Sequence, residues 1–268
     1  MAKYKKKRAR ELQQDRFRDT AMTFFDRLGD RLEGRGRTIL YGLGAFILAA
    51  VLVVAFVKWR NRKADEAQQA LGRAISITST AVLTNPIAGT TEPTFGSEKE
   101  RAQRAIEEFE KVAAKYGDPY RSESRYFIAV NRLVIDRPKA MSELAELSNS
   151  KVEEVAVLSK FALAQANESD GKLDDAARLY SELAKLNSPT ITQETANLRL
   201  AKVYEKQGKK KEAADLLFNI VDASRKAKGP DNLPLPTSSA AREAGDELKK
   251  LDPDRYAQLP AENPLLAG

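Results

Sequence analysis

Residues 160–185 read KFALAQANESDGKLDDAARLYSELAK, and their pattern is the clearest indication of the fold class. It contains two amphipathic segments that are separated at Gly171. The second segment carries a small residue, Ala176, four positions before a bulky one, Tyr180, so both lie on one face of a helix. Two antiparallel helices that cross closely need a small side chain at the crossing and a large one a turn later. The stretch therefore predicts a helical hairpin, with Gly171 in the left-handed turn that ends its first helix.

The same small–large pattern recurs four times along the chain. Its Ala positions are 35, 36 and 37 residues apart, and each pattern follows another amphipathic stretch. A helix pair buries only part of its apolar surface, so such pairs stack on one another. The sequence therefore predicts an all-α solenoid of about four helix pairs, whose repeat core is formed by Ala105, Phe109, Ala140, Leu144, Ala176, Tyr180, Ala213 and Leu217.

Two irregular segments interrupt this pattern. The first pair is split, because a loop at about residues 84–97 that is rich in Thr, Pro and Gly lies between the predicted helices 64–79 and 98–117. The second segment, KGPDNLPLP at 228–236, precedes a last predicted helix near 237–251. A terminal helix of this kind is expected to cap the stack.

The repeats resemble the tetratricopeptide repeat, whose unit is about 34 residues. One unit matches its pattern at Leu163–Ala164, Gly171, Ala176 and Tyr180, and the next at Leu200–Ala201, Tyr204, Gly208, Ala213 and Leu217. The Trp that usually stands near the start of a unit is replaced by Lys160 and Asn197. The closing Pro is displaced to Pro189 in one unit and replaced by Arg225 in the next.

A second kind of signal lies before the repeats. Residues 38–57, TILYGLGAFILAAVLVVAFV, contain no charged side chain. As a helix they would extend about 30 Å, which is the thickness of the hydrocarbon core of a bilayer. A signal peptide would start nearer the N-terminus and end in a small-residue cleavage site, and a buried soluble helix of this length without charge is rare. The sequence predicts a single transmembrane helix.

The distribution of charge predicts its orientation. Residues 1–37 carry a net charge of +6, residues 38–63 carry +4 and residues 64–268 carry −3. Cations flank the span on both sides, but the Lys/Arg cluster within residues 3–10 favours a cytoplasmic N-terminus. We expect a single-pass protein with its N-terminus in the cytoplasm and residues 64–268 on the far side of the membrane.

The segment before the span has its own pattern. Apolar residues between Phe17 and Leu32 recur on one face of a helix, after a strongly basic start. The segment suggests either a helix lying on the inner leaflet or one that packs on a partner, and both alternatives stay open. The domain plan is a basic tail with an amphipathic helix at 1–37, the span at 38–57, repeats at 58–227, and a linker, capping helix and flexible C-terminus at 228–268.

The composition argues against an enzyme. The chain has no Cys and no His, which removes thiolate chemistry, the usual general base and the commonest metal ligand. No phosphate loop, nucleophile elbow or metal-spaced ligand set is present. The basic charge belongs to the anchor region and not to the large domain, which argues against nucleic-acid binding. We therefore expect no enzyme activity, no catalytic or metal site, no cofactor and no small-molecule substrate.

Binding is expected on the concave face, which the first helix of each pair lines. Its cationic bias would suit acidic peptide segments or carboxylates, although the alternative is solvated surface charge. By the repeat pattern, the candidates for a peptide-binding groove are Arg125, Arg132, Phe161, Gln165, Lys202 and Lys206.

The whole layout is similar to a bacterial inner-membrane family that has a short cytoplasmic tail, one span and tetratricopeptide-like pairs outside. That family includes the ancillary subunit of the Sec translocon. The resemblance implies a protein of the bacterial inner membrane whose repeats lie on the periplasmic or extracytoplasmic side. It also implies an interaction scaffold that links protein translocation machinery to periplasmic chaperones or clients. The alternative is a structural anchor for cell-envelope or cell-division machinery, and a remote one is an enzyme that uses carboxylate or Lys chemistry.

Overall fold

The computed structural model describes residues 36–83, 94–186 and 188–261. The predicted basic tail, the amphipathic helix near 17–32 and most of the loop at 84–97 lie outside these residues. The described residues form ten helices and no strand, only two isolated bridges. The helices are α1 Gly36–Thr78, α2 Glu98–Lys115, α3 Tyr120–Arg132, α4 Arg137–Leu147, α5 Glu153–Ser169, α6 Leu173–Lys185, α7 Gln193–Lys206, α8 Lys210–Lys226, α9 Ser239–Leu251 and α10 Pro253–Tyr256.

Helix α1 is 43 residues long and carries the apolar stretch. Its most apolar 18-residue window has a mean hydropathy of 2.2, and no residue of that window is buried. The large apolar side chains from Tyr41 to Trp59 are between 47% and 74% exposed. By length and composition, α1 is the one helix among the described residues that could cross a membrane.

The sequence predicts a span and a separate first repeat helix in this region, whereas α1 is continuous from Gly36 to Thr78. The reason is local, since residues 45–71 contain no Gly and no Pro that would end a helix. By contact density the chain separates into two compact units, 1–65 and 66–268, so the C-terminal part of α1 belongs to the second unit.

The second unit is a stack of helix pairs. Residues 66–78 of α1 share an apolar cluster with α2, and the later pairs are α3 with α4, α5 with α6 and α7 with α8. Helix α9 packs on α8 and α7 at the end of the stack, and α10 follows it. The prediction of an all-α solenoid with four helix pairs and a capping helix is confirmed.

The core lies between successive helices of the stack. Of the eight residues of the small–large pattern, seven are 0% exposed and Leu217 is 2% exposed. The first helices carry a matching row of small residues that the sequence analysis did not name: Ser124, Ser159 and Ala196 are each 0% exposed. These rows allow the helix backbones to approach closely at each crossing.

Turns between helices follow from particular residues. Gly171 and Gly208 have φ values of +73° and +77°, the left-handed conformation predicted for Gly171. After α5, the Lys172 N–H donates to the Asn167 carbonyl at 2.9 Å and the Gly171 N–H to the Glu168 carbonyl at 3.2 Å. This is the Schellman arrangement, which satisfies carbonyl groups at the end of a helix.

Side-chain caps define several helix starts. Ser97, Thr192 and Ser238 each accept a hydrogen bond from the backbone N–H three residues later. The long loop between α1 and α2 is drawn together at its base, where the Leu83 N–H donates to the Phe95 carbonyl at 2.9 Å. The loop can therefore be inserted without disturbing the pairing of the helices that it joins.

Candidate interaction site on the helical repeats

All six residues predicted for the groove lie on first helices of their pairs. Arg125 and Arg132 are on α3, Phe161 and Gln165 on α5, and Lys202 and Lys206 on α7. The first helix of each pair thus presents the candidates as the repeat pattern predicts. Their surroundings differ, however, and they form separate groups.

Arg125 and Arg132 line one open pocket of about 280 Å³ between α2, α3 and α4, together with Glu110, Ile128, Glu143, Glu146 and Leu147. Arg132 forms an ion pair with Glu143, and a second nitrogen lies 3.6 Å from Glu110. Its side chain is only 14% exposed. Arg132 therefore joins α3 to the helices on both sides of it.

Arg125 is placed differently in the same pocket. Its Nη2 donates to Glu146 Oε1 at 2.9 Å, and its side chain is 46% exposed. An exposed ion pair of this kind contributes about 0.2–1 kcal/mol, so a ligand can replace it at little cost. Of the two arginines, Arg125 is the one that a partner can reach.

The two lysines of α7 are also paired. Lys206 Nζ lies 2.5 Å from Glu168 Oε1 on α5, and Lys202 forms an ion pair with Glu243 on α9. The hydrogen bond from Lys202 holds the pKa of Glu243 below its usual range. Opposite charges thus alternate across the first helices α5 and α7 and the capping helix.

Helix α5 supplies the two candidates without charge. The ring of Phe161 is half-buried and meets Tyr180 edge to face, with ring centroids 5.8 Å apart. Gln165 is exposed, and its side-chain amide makes no hydrogen bond within the described part of the chain. Phe161 is therefore partly committed to packing within its own pair, whereas Gln165 is open to a partner.

A carboxylate on α3 adds to the mixture of charges. Burial, and then the negative charge of Glu154 on α5, raise the pKa of Glu123 above its usual range. Together with the paired lysines, this residue makes the surface of the first helices mixed in charge. Such a surface suits a partner segment that carries both signs better than it suits a single carboxylate.

The carboxylate partners of the cations were missed in the sequence analysis. A signal was present, because Lys206 and Glu168 are 38 residues apart and Lys202 and Glu243 are 41 apart. These separations are close to one repeat length. Opposite charges about one repeat apart are therefore candidates for ties between successive units of a helical stack.

No family model matches the sequence, and no curated protein matches it. Among solved structures, the chain is similar to a Podosopora anserina protein described as a kinesin light chain with nearly identical TPR-like repeats. The two share 16% sequence identity with a TM-score of 0.49, and the match covers 72% of this chain and 88% of that chain. The fold assignment rests on the helix pairs of this chain and their spacing.

Proposed function

We propose that this protein is a membrane-anchored scaffold for protein–protein interactions. The observation that carries the proposal is the exposed apolar part of α1, in which no residue of the most apolar window is buried. Burial of a large apolar side chain stabilises by roughly 1.5–3 kcal/mol, so a row of such side chains strongly favours a bilayer over water. The helix stack that follows offers a long surface for other proteins.

The proposed topology places the N-terminus in the cytoplasm of a bacterial cell and the repeats outside the inner membrane. It is supported by the cluster of cations within residues 3–10, whose transfer across a membrane is unfavourable. On the far side, the first helices would meet partners through the mixed-charge surface around Arg125, Gln165 and Lys202.

More specifically, we propose a translocation role, in which the scaffold links the protein translocation machinery to periplasmic chaperones or clients. The layout of one span followed by helical repeats supports this translocation role. A structural anchor for cell-envelope or cell-division machinery is the second candidate, because the same layout would serve it. The two differ in the proteins that occupy the repeat surface.

The anchor is tested by fractionation of lysed cells without detergent. We expect the full chain to sediment with membranes, and Leu52→Arg with Val53→Arg to shift it to the supernatant, because Arg at the centre of a span costs about 2.5–3.5 kcal/mol. Leu233→Arg with Leu235→Arg is the matched control, since these side chains are 62% and 46% exposed in a loop of the repeat unit. Wild-type protein in the supernatant would contradict the anchor.

The interaction surface is tested by photo-crosslinking in cells. A photoreactive residue at Gln165 on α5 should capture partners, whereas one at the exposed Lys185 on α6 should capture few, because Lys185 lies on a second helix. Translocon subunits and chaperones among the crosslinked products would support the translocation role. Envelope or division proteins would favour the structural anchor, and equal capture at both positions would contradict a surface on the first helices.

The role of the cations is separated from that of the ion pairs by a charge swap. Lys202→Glu with Glu243→Lys keeps the tie between α7 and α9 and reverses its polarity. If partners bind the Lys202 ammonium, capture at Gln165 should fall while the melting temperature stays close to that of the wild type. Unchanged capture would remove Lys202 from the binding surface.

A further inference from the structure

Four cations follow the exposed apolar stretch of α1 directly. We name Lys58, Arg60, Arg62 and Lys63 the basic collar; no Asp or Glu occurs between Thr38 and Ala64. All four side chains are exposed. With 3.6 residues per turn, they spread over roughly 200° of the helix circumference, so the collar is a band around α1 and not a single stripe.

The collar differs from the cations of the repeats in having no ion-pair partner among the described residues. Arg125, Arg132, Lys202 and Lys206 each pair with a carboxylate. By contrast, the side chains of Lys58, Arg60 and Arg62 make no hydrogen bond and no ion pair within the described part of the chain. Asp65 and Glu66 follow on the same helix but form no ion pair with the collar. Four neighbouring cations without an ion-pair partner repel one another, and a bound anion would relieve this repulsion.

An aromatic residue marks the depth of the collar. Trp59 is 55% exposed, its ring lies 6.1 Å from that of Phe56, and Lys63 Nζ lies 4.5 Å above its centroid. Trp with an apolar neighbour on one side and a cation on the other is suited to the boundary between acyl chains and headgroups. At about 1.5 Å per residue, the collar ends about 9 Å beyond Val57, which is within reach of lipid phosphates.

We propose that the basic collar binds the headgroups of anionic phospholipids in the leaflet that faces the repeats. The inference rests on the proposed span and holds for either orientation of the chain. The chemistry recognised is the phosphate diester, which Arg binds through its planar fork and Lys through a point charge. Lipid is the occupant because a helix embedded through residues 38–57 keeps the collar in the headgroup layer, where phosphates are already concentrated.

The chain carries its own probe for a test, because Trp59 is the single tryptophan. The full chain is reconstituted into nanodiscs that contain phosphatidylcholine and phosphatidylglycerol, with bromine on the acyl chains of one lipid or the other. Bromine quenches Trp59 fluorescence at short range. We expect brominated phosphatidylglycerol to quench about fivefold more per mole fraction at low salt, since each cation near an anionic surface contributes a factor of that order.

Two triple variants, both of which retain Trp59, separate the collar from total charge. Replacement of Lys58, Arg60 and Arg62 by Gln should abolish the preference. Replacement of the exposed Lys172, Lys210 and Lys211 by Gln removes the same charge from the repeat unit and should leave the preference unchanged.

Each outcome decides the question. A preference that the collar variant loses and the control keeps, and that added inorganic phosphate at matched ionic strength does not remove, supports headgroup binding. Equal quenching by both lipids, or a preference that survives in the collar variant, overturns it, and loss with phosphate shows an anion site that is not specific to lipid and also overturns it. Absence of quenching by either lipid would instead contradict the proposed span.

Discussion

Lys206 Nζ lies 2.5 Å from Glu168 Oε1, and this ion pair joins the first helices of two successive pairs, α7 and α5. The other carboxylate oxygen of Glu168 accepts a hydrogen bond from the Tyr180 hydroxyl on α6 at 3.1 Å. Because the Glu168 side chain is only 13% exposed, one carboxylate connects three helices in a partly dry environment. A lysine that the sequence presented as a binding residue thus also ties neighbouring repeats together.

Replacement of Ala176 by Arg should unfold the repeat unit. Ala176 is 0% exposed in the apolar cluster shared by α5, α6 and α7, so a long cation would overpack it and bury a charge. We expect a loss of more than about 3 kcal/mol, measured by circular dichroism during thermal unfolding of the full chain in detergent. Ala145→Arg places the same side chain on an exposed face of α4 and should have little effect. Similar melting of the two variants would refute the crossing at Ala176.

Two Gly→Ala substitutions should act in opposite directions. Gly208 has a φ of +77°, so Gly208→Ala should destabilise by about 1–2 kcal/mol although nothing lies within 4 Å of the added Cβ. Gly72 is also without neighbours within 4 Å but lies inside helix α1, so Gly72→Ala should stabilise by roughly 0.5–1 kcal/mol. Chemical denaturation measures both values, and effects of the same sign would contradict the backbone assignment.

Arg132 should contribute more to stability than Arg104, which also pairs with two carboxylates, both of them on its own helix. Arg132→Gln removes the ion pairs that link α3 to α2 and α4, and we expect a loss of roughly 1–3 kcal/mol. The control is Arg104→Gln, because among the described residues Arg104 pairs only with Glu107 and Glu108 on its own helix. This substitution should cost less than about 0.5 kcal/mol. Equal losses of unfolding free energy in urea would show that the ion pairs between helices stabilise no more than those within one helix.

The Tyr180 hydroxyl should make stability depend on alkaline pH. Burial, and then the negative charge of Glu168, raise the pKa of Tyr180 well above its usual range, so the folded state favours the neutral phenol. This contribution is complete below the unfolded-state pKa of about 10 and is lost as the pH rises towards the folded-state pKa.

The test compares the wild type with Tyr180→Phe, in which the hydrogen bond to Glu168 is absent. At neutral pH the variant should be less stable by about 1 kcal/mol. The difference in unfolding free energy should shrink above about pH 10, and the seven other tyrosines cancel in the comparison. A constant difference across this range would show that the Tyr180 phenol titrates normally.

Most of the fold could be predicted from local patterns. The small–large spacing from Ala105 to Leu217 identified the second helix of every pair, because close helix crossings restrict residue size at fixed positions. Gly171 was identifiable since few other residues adopt its φ at a helix end. The continuity of α1 was missed because a change from apolar to charged composition was interpreted as a boundary, although neither composition breaks a helix.

The candidate site was less accessible to sequence reasoning. A helical pattern shows which face Arg132 or Lys202 occupies, but not which side chain faces it on a neighbouring helix. The pairing of Lys202 with Glu243 depends on how α9 docks on the stack, and α9 follows an irregular loop. Whether these cations bind a partner stays a prediction, and the ion pairs define the contacts that such a partner must replace.

Helix α9 gives the repeat array a closed end. Ala241, Ala244 and Leu248 are buried against the last pair, while charged residues such as Asp246 and Lys249 cover the opposite face. Within the described residues, the outer face of this helix offers no apolar surface on which another pair could pack. A gene duplication that lengthens the array would therefore have to insert a complete pair between existing ones. The length of the repeat stack can then change while the capping helix stays the same.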